Sequence, residues 1–336
     1  MRHTFLKLSL LALSAMMFAS GCNKSDQQNL KENAPISFGT QITKAPVTDK
    51  NQMGDFSVWG WCYKADTKHA KLFDATPVHA DGTYTDGGTR FWADGFTHDF
   101  YAVHPTTGAG NMQVTENGIL TVTGFDASER GNKAIDLMTA SNTGIEYVQD
   151  TDPATKPDPV SLNFRHELAR VTFSVNTKEN CKVVVTLIGA AYKGDLTKNF
   201  SDGTSDSEWT IKGCSFPSGV PYQEGSSMMI PENNPTVLFG GTLLVPPQDL
   251  SLVDKAIYPS RTTPVYVFMR HQYDNSAPVD RDIYLNDIKG ADGKIIDKWE
   301  AGKSYNYVIN IPENGKDIEI TVQVNDWNDQ DMSVVL

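Results

Sequence analysis

Cys22 is the residue of this chain whose setting speaks most directly for a covalent chemistry. It follows Arg2, Lys7, an apolar run from Leu8 to Phe18 and the small residues Ala19, Ser20 and Gly21. A basic start, a short apolar stretch and small residues at its end read as a secretory signal peptide. The run is too short to span a bilayer as a helix. A cysteine at this point offers its sulfur for lipid attachment after cleavage by a bacterial signal peptidase II. The expectation is therefore a signal peptide over residues 1–21 and a lipidated tether over 22–33, whose polar composition reads as flexible. Several acyl chains, at about 0.8 kcal/mol per buried CH₂, would make that anchor durable.

Other chemistry-bearing residues do not assemble into a catalytic pattern. Ala301-Gly-Lys-Ser304 resembles the end of a phosphate-binding loop, but Asp297 stands where the earlier glycine belongs and an apolar strand follows in place of a helix. His166-Glu167 opens like a zinc-protease motif, yet Arg170 occupies the place of the second histidine. His98 and His104 flank Phe100–Val103 without a nearby third ligand, and Asp280-Arg-Asp282 and Asp292-Gly293 lack the ligand period of a calcium loop. No Gly-x-Ser-x-Gly elbow occurs. No enzyme, metal or cofactor is expected.

Composition narrows the partners. The net charge of −12 becomes −14 once Arg2 and Lys7 leave with the signal peptide, so nucleic acid is not an expected partner. Beyond Cys22 only Cys62, Cys181 and Cys214 remain, an odd number without zinc or disulfide spacing. The six tryptophans raise a second reading, a surface glycan-binding lipoprotein without catalysis, with Trp59, Trp61 and Tyr63 on one strand and Trp92 nearby. Aromatic residues in strands serve core packing at least as readily.

The elements that must carry these residues are strands. Runs at 36–42, 56–63, 100–103, 118–125, 160–164, 171–175, 182–187, 237–245, 265–270, 305–311 and 318–324 are short and rich in β-branched and aromatic residues. Gly, Pro, Asn and Asp separate them. Only residues 128–140 hold a possible short helix. Ile36, Phe38 and Ile42 should share one face of their strand, as should Ile318, Ile320, Val322 and Val324. Met332, Val334, Val335 and Leu336 make a further short apolar segment. The polar stretch Asp150 to Pro159, with three prolines, suggests a junction, giving β-sandwich domains over 34–159 and 160–336.

Several segments taken together resemble the fimbrillin family, lipoprotein precursors of type V pilus subunits in Bacteroidales. They are Ile36-Ser-Phe38 with Thr43-Lys-Ala45, Phe56-Ser-Val-Trp-Gly60, Phe91-Trp92, Phe100-Tyr-Ala-Val-His-Pro105, Asp136-Leu-Met138 and Leu162 to Val171. Trp299 to Tyr307 and Val322 to Trp327 complete the set. The resemblance implies an all-β chain of two tandem transthyretin-like β-sandwich domains. It further implies a fimbrium subunit, structural or adhesive, on the extracellular side of the outer membrane, with stalk, tip, anchor and accessory roles all open.

Its partners would be other pilus subunits, the outer membrane through lipid at Cys22, a trypsin-like maturation protease, and host or bacterial surface ligands. By the same resemblance, the protease would cut after Lys44 or Lys50 and free the strand bearing Ile36, Phe38 and Ile42. A donor strand from a neighbour, for which Met332, Val334, Val335 and Leu336 are the candidates, would take its place.

Overall fold

Period-two alternation shapes most elements of the computed structural model, which describes residues 34–42, 54–65, 70–84, 86–150, 156–201, 207–215, 221–223, 228–251, 254–258, 261–273, 276–313 and 318–327. In chain order the strands begin with β1 (Phe38–Ile42), β2 (Phe56–Tyr63), β3 (Ala70–Val78), β4 (Phe96–His104), β5 (Asn111–Val114), β6 (Ile119–Asp126) and β7 (Met138–Tyr147). They continue with β8 (Val160–His166), β9 (Ala169–Thr177), β10 (Cys181–Ile188), β11 (Ala191–Asn199), β12 (Glu208–Cys214), β13 (Met228–Ile230) and β14 (Thr236–Val237). The last are β15 (Leu243–Val245), β16 (Gln248–Asp249), β17 (Tyr266–Tyr273), β18 (Val279–Tyr284), β19 (Lys298–Trp299), β20 (Lys303–Ile311) and β21 (Glu319–Asp326). No α-helix occurs among the described residues.

A six-stranded sheet in the order β1-β8-β7-β4-β2-β3 is the centre of the first half. Its middle strands are apolar on both faces because both are covered. Phe56 and Val58 of β2 and Phe100 and Ala102 of β4 enter one core with Phe38, Phe73 and Phe164. Trp59, Trp61, Tyr101 and Val103, pointing the other way, enter a second core with Leu120, Val122 and Leu196. That second core is closed by a four-stranded sheet, β12-β11-β6-β5. A third core, including Phe173, Val185, Val267, Trp299 and Tyr307, unites β14-β9-β20-β21, with β15 also on β9, and the sheet β13-β10-β17-β18.

The expected division into 34–159 and 160–336 is not how the sheets divide. The proline-rich stretch connects β7 to β8 inside one sheet, and β11 and β12 pair with β6 of the first half. Pro and Asp punctuate any loop, so the stretch signals the turn between two strands as strongly as it would signal a linker.

Local details differ in two further places. The segment 128–140 contains a 3-10 turn, Gly131–Lys133, and then enters β7, where Met138, Thr139 and Ala140 are buried. The run 237–245 is two short strands, β14 and β15, separated by a turn in which Phe239 and Gly240 take positive φ. In β21, at the edge of its sheet, Val322 is buried, Ile320 is half-buried and Val324 is exposed.

Candidate functional site

Of the segments singled out from sequence, the one bearing Ile36 and Phe38 lies in the most unusual structural setting. β1 is an edge strand and pairs in parallel with β8, from Phe38 opposite Val160 to Ile42 opposite Phe164. The other pairings of that sheet are antiparallel. Parallel ladders are slightly less stable per residue than antiparallel ones.

Just before β1 the chain changes partner. Ile36 donates its backbone N–H to the Arg90 carbonyl at 2.9 Å, and Trp92 donates to the Ala34 carbonyl at 3.1 Å. Val160 donates to the Ser37 carbonyl at 2.8 Å, beginning the ladder on the other side. The segment 34–42 is thus held by β8 along one edge and by the loop between β3 and β4 along the other.

The side chains explain its anchorage. Ile36 and Phe38 are buried. The Phe38 ring meets Phe73, Phe100 and Tyr84 edge-on at centroid distances of 5.3, 5.6 and 6.2 Å, the arrangement that aromatic quadrupoles favour. Gly60 lies beneath the Phe73 and Phe100 rings, where a Cβ would stand 2.9 Å from each.

Loop residues close the pocket. The Tyr84 hydroxyl donates to the Ile36 carbonyl at 3.0 Å and accepts the Arg90 N–H at 3.1 Å. Burial pushes the Tyr84 phenol above its ordinary range, so the hydroxyl keeps its proton and remains a donor. The Arg90 guanidinium lies over the Phe73 and Tyr84 rings and donates to the Leu72 carbonyl at 3.1 Å. Gly82, at φ +84°, faces the Phe38 carbonyl so closely that an added Cβ would stand 1.9 Å from that oxygen. Only glycine fits both the conformation and the space.

The other residues marked in the sequence have separate surroundings. His98 is buried against Trp92 and accepts the Ala93 N–H at Nε2. His104 pairs with the Asp55 carbonyl. His166 pairs with Asp136 at 3.0 Å and stacks on Trp327 at 3.7 Å. Glu167 is 2% exposed and bonds Lys198, at 2.6 Å, together with the Thr139 and Ser207 hydroxyls. Lys303 and Ser304 open β20, and Gly302 before them has positive φ, as the turn reading requires.

Asp280 pairs with Arg270, and Asp292 accepts the Lys294 N–H in a tight turn. Cys62, Cys181 and Cys214 are buried thiols outside any disulfide among the described residues. Trp59, Trp61 and Trp92 are each 3% exposed and Tyr63 is half-buried, so these rings pack the interior and form no external platform. Cys22, Lys44, Lys50, Met332, Val334, Val335 and Leu336 lie outside the described residues, as does the side chain of Ile42.

Sequence reading alone did not mark Gly60, Gly82, Tyr84 or Arg90. The Asp81-Gly82 dipeptide is a turn signal, and a glycine inside an aromatic strand signals close approach of another group. Either could have drawn attention to this wall.

The chain folds as an all-β assembly of packed sheets. Residues 43–327 match the family described as fimbrillin-like, and the chain belongs to that family. The fold is similar to that of a fimbrial protein from Bacteroides vulgatus, at 15% identity and a TM-score of 0.54, covering 88% of this chain and 100% of that one. Two proteins provisionally titled cell adhesion proteins show the same likeness. The one from Bacteroides uniformis has 16% identity and a TM-score of 0.50, with 88% and 98% of the two chains covered. The one from Bacteroides ovatus has 15% identity and a TM-score of 0.50, with 89% and 99% covered. No curated protein matches the chain.

Proposed function

We propose that this chain is a structural or adhesive pilus subunit, exported as a lipoprotein through Cys22 to the outer surface of the outer membrane. There it joins other subunits by strand exchange. Membership of the fimbrillin-like family supports the subunit role. The observation that carries the exchange is the edge strand β1, which is parallel to β8, lacks charged residues and is followed by Lys44 and Lys50 in sequence.

Edge strands are hazards that proteins blunt with charge, proline, bulges or shortness. β3 carries Lys71, Asp74 and Pro77, and β12 carries Glu208 and Lys212. β18 carries Asp280, Arg281 and Asp282, while β5 and β13 span four and three residues. β1, Phe-Gly-Thr-Gln-Ile, carries no charge, proline or bulge, and is guarded by its length of five and by the loop that approaches it at Phe38.

Cleavage after Lys44 or Lys50 by a trypsin-like protease leaves residues 34–42 attached by noncovalent contacts alone. Their departure exposes the β8 ladder and the sites of Ile36 and Phe38, side chains whose burial is worth roughly 1.5–3 kcal/mol each. An incoming strand of a neighbouring subunit recovers that burial and the backbone bonds. Residues 332–336 are the candidate donor segment.

Limited trypsin digestion, followed by N-terminal sequencing, intact mass and sizing, tests this reading. The expected result is a new N-terminus at residue 45 or 51, loss of 34–42, and oligomers that survive dilution. A chain that is cut there yet remains monomeric, or that is never cut there, overturns strand exchange.

A further inference from the structure

Resting on the strand-exchange reading, we infer that the Phe38 pocket, walled by residues 79–84 and 86–92, is the selectivity subsite of the strand-accepting groove. It takes a strand from a second subunit that presents a large apolar side chain, of the size of Leu, Met or Phe, where its backbone passes Gly82. Three features of the site impose this choice.

The pocket is made by removal of a side chain. Gly60 leaves the space in which Phe73 and Phe100 stand, and these rings with Tyr84 set the walls around the Phe38 ring. A strand offering Ala or Ser there leaves a void among rings that cannot collapse onto it, because Phe73 and Phe100 are themselves fully buried.

Register is fixed by the backbone. The Phe38 carbonyl lies against Gly82, and the carbonyl two residues earlier accepts from the Tyr84 hydroxyl. A strand displaced by one residue turns its apolar face out of the core. Only a register in phase with Phe38 therefore satisfies the Tyr84 donor and fills the pocket together.

The loop wall is itself braced. Gly82 donates to the His79 carbonyl and His79 to the Thr83 carbonyl, both at 2.8 Å. Asp81 accepts from the Thr83 N–H and hydroxyl, bonds that hold its carboxyl below the ordinary aspartate range. Arg90 donates to the carbonyls of Leu72, Asp86 and Gly88. The wall thus reads an entering strand with a preformed set of groups, which lowers the cost of ordering on association.

The test uses the full chain after trypsin cleavage, titrated with a fluorescent peptide of residues 34–42 and with the same peptide carrying Phe38→Leu or Phe38→Ala. The native peptide is expected to bind and to block oligomer growth. Phe38→Leu should bind within about 5-fold of it, and Phe38→Ala should lose roughly 10- to 100-fold. A Tyr84→Phe chain, which keeps the ring and loses the donor, should release the native peptide faster.

Equal binding of the Ala and native peptides, in a chain that does lose its own strand and polymerise, overturns the subsite and leaves strand exchange standing. Retention of 34–42 by the cleaved chain at every peptide concentration overturns strand exchange and the subsite with it.

Discussion

At the scale of single residues, the histidines link this fold to pH. Burial pushes His98 and His104 below the ordinary imidazole value. The neighbouring Asp99 acts against this for His98, as do Asp136 and Asp55 for His104, while His166 adds to it. His98 also accepts the Ala93 N–H at Nε2, which a protonated ring cannot do.

Because the folded values are depressed, the unfolded chain takes up protons first as pH falls through about 6.5, and stability declines from there toward the folded values. The urea midpoint is therefore expected to fall between pH 7.5 and 5.5. His98→Leu should flatten that slope whatever it does to the midpoint at pH 7.5. Denaturant titrations at several pH values check both, and a slope unchanged by the substitution would count against His98 as a source.

At the scale of elements, the buried polar group around Glu167 ties two sheets together. Glu167 sits between β8 and β9, Thr139 is on β7, and Lys198 arrives from β11 of the opposing sheet. The Glu167 N–H donates to the Leu137 carbonyl, fixing the carboxylate on its own side.

An ion pair with both partners buried adds little net stability over an apolar pair, but removing one partner strands the other charge at a cost of about 3–5 kcal/mol. Lys198→Met is expected to lose that much in urea unfolding. Adding Glu167→Gln should restore part of it, because the neutral amide needs no counter-charge. A double variant no more stable than the single one would show that the carboxylate is not stranded by loss of Lys198.

At the scale of the whole molecule, the chain crosses back on itself. β8, β11 and β12 follow residue 159 in sequence yet complete sheets that begin before it, and Trp327, just after β21, enters the core that holds Trp59 and Trp61. A chain ending at residue 159 would leave β1 without β8 and β6 without β11. It is expected to lack the near-ultraviolet circular dichroism of packed tryptophans and to unfold without cooperativity. A sharp two-state transition in that fragment would show that the first half is independent.

What the sequence determined by itself was local and periodic. Alternation of apolar residues put Ile36 and Phe38 on one face, where both are buried, and the runs 56–63 and 160–164 were legible as strands. The fimbrillin-like segments were legible as well. Tertiary structure alone decided which strands meet.

The pairing of β1 with β8 joins residues more than a hundred positions apart, and no local propensity encodes it. The same holds for the Phe38 pocket, whose walls come from β3, β4 and a loop, and whose space comes from an absent side chain at Gly60. A strand's sequence specifies which face is apolar. Its partner and register are set by backbone bonding and ring packing that exist only once the sheets close.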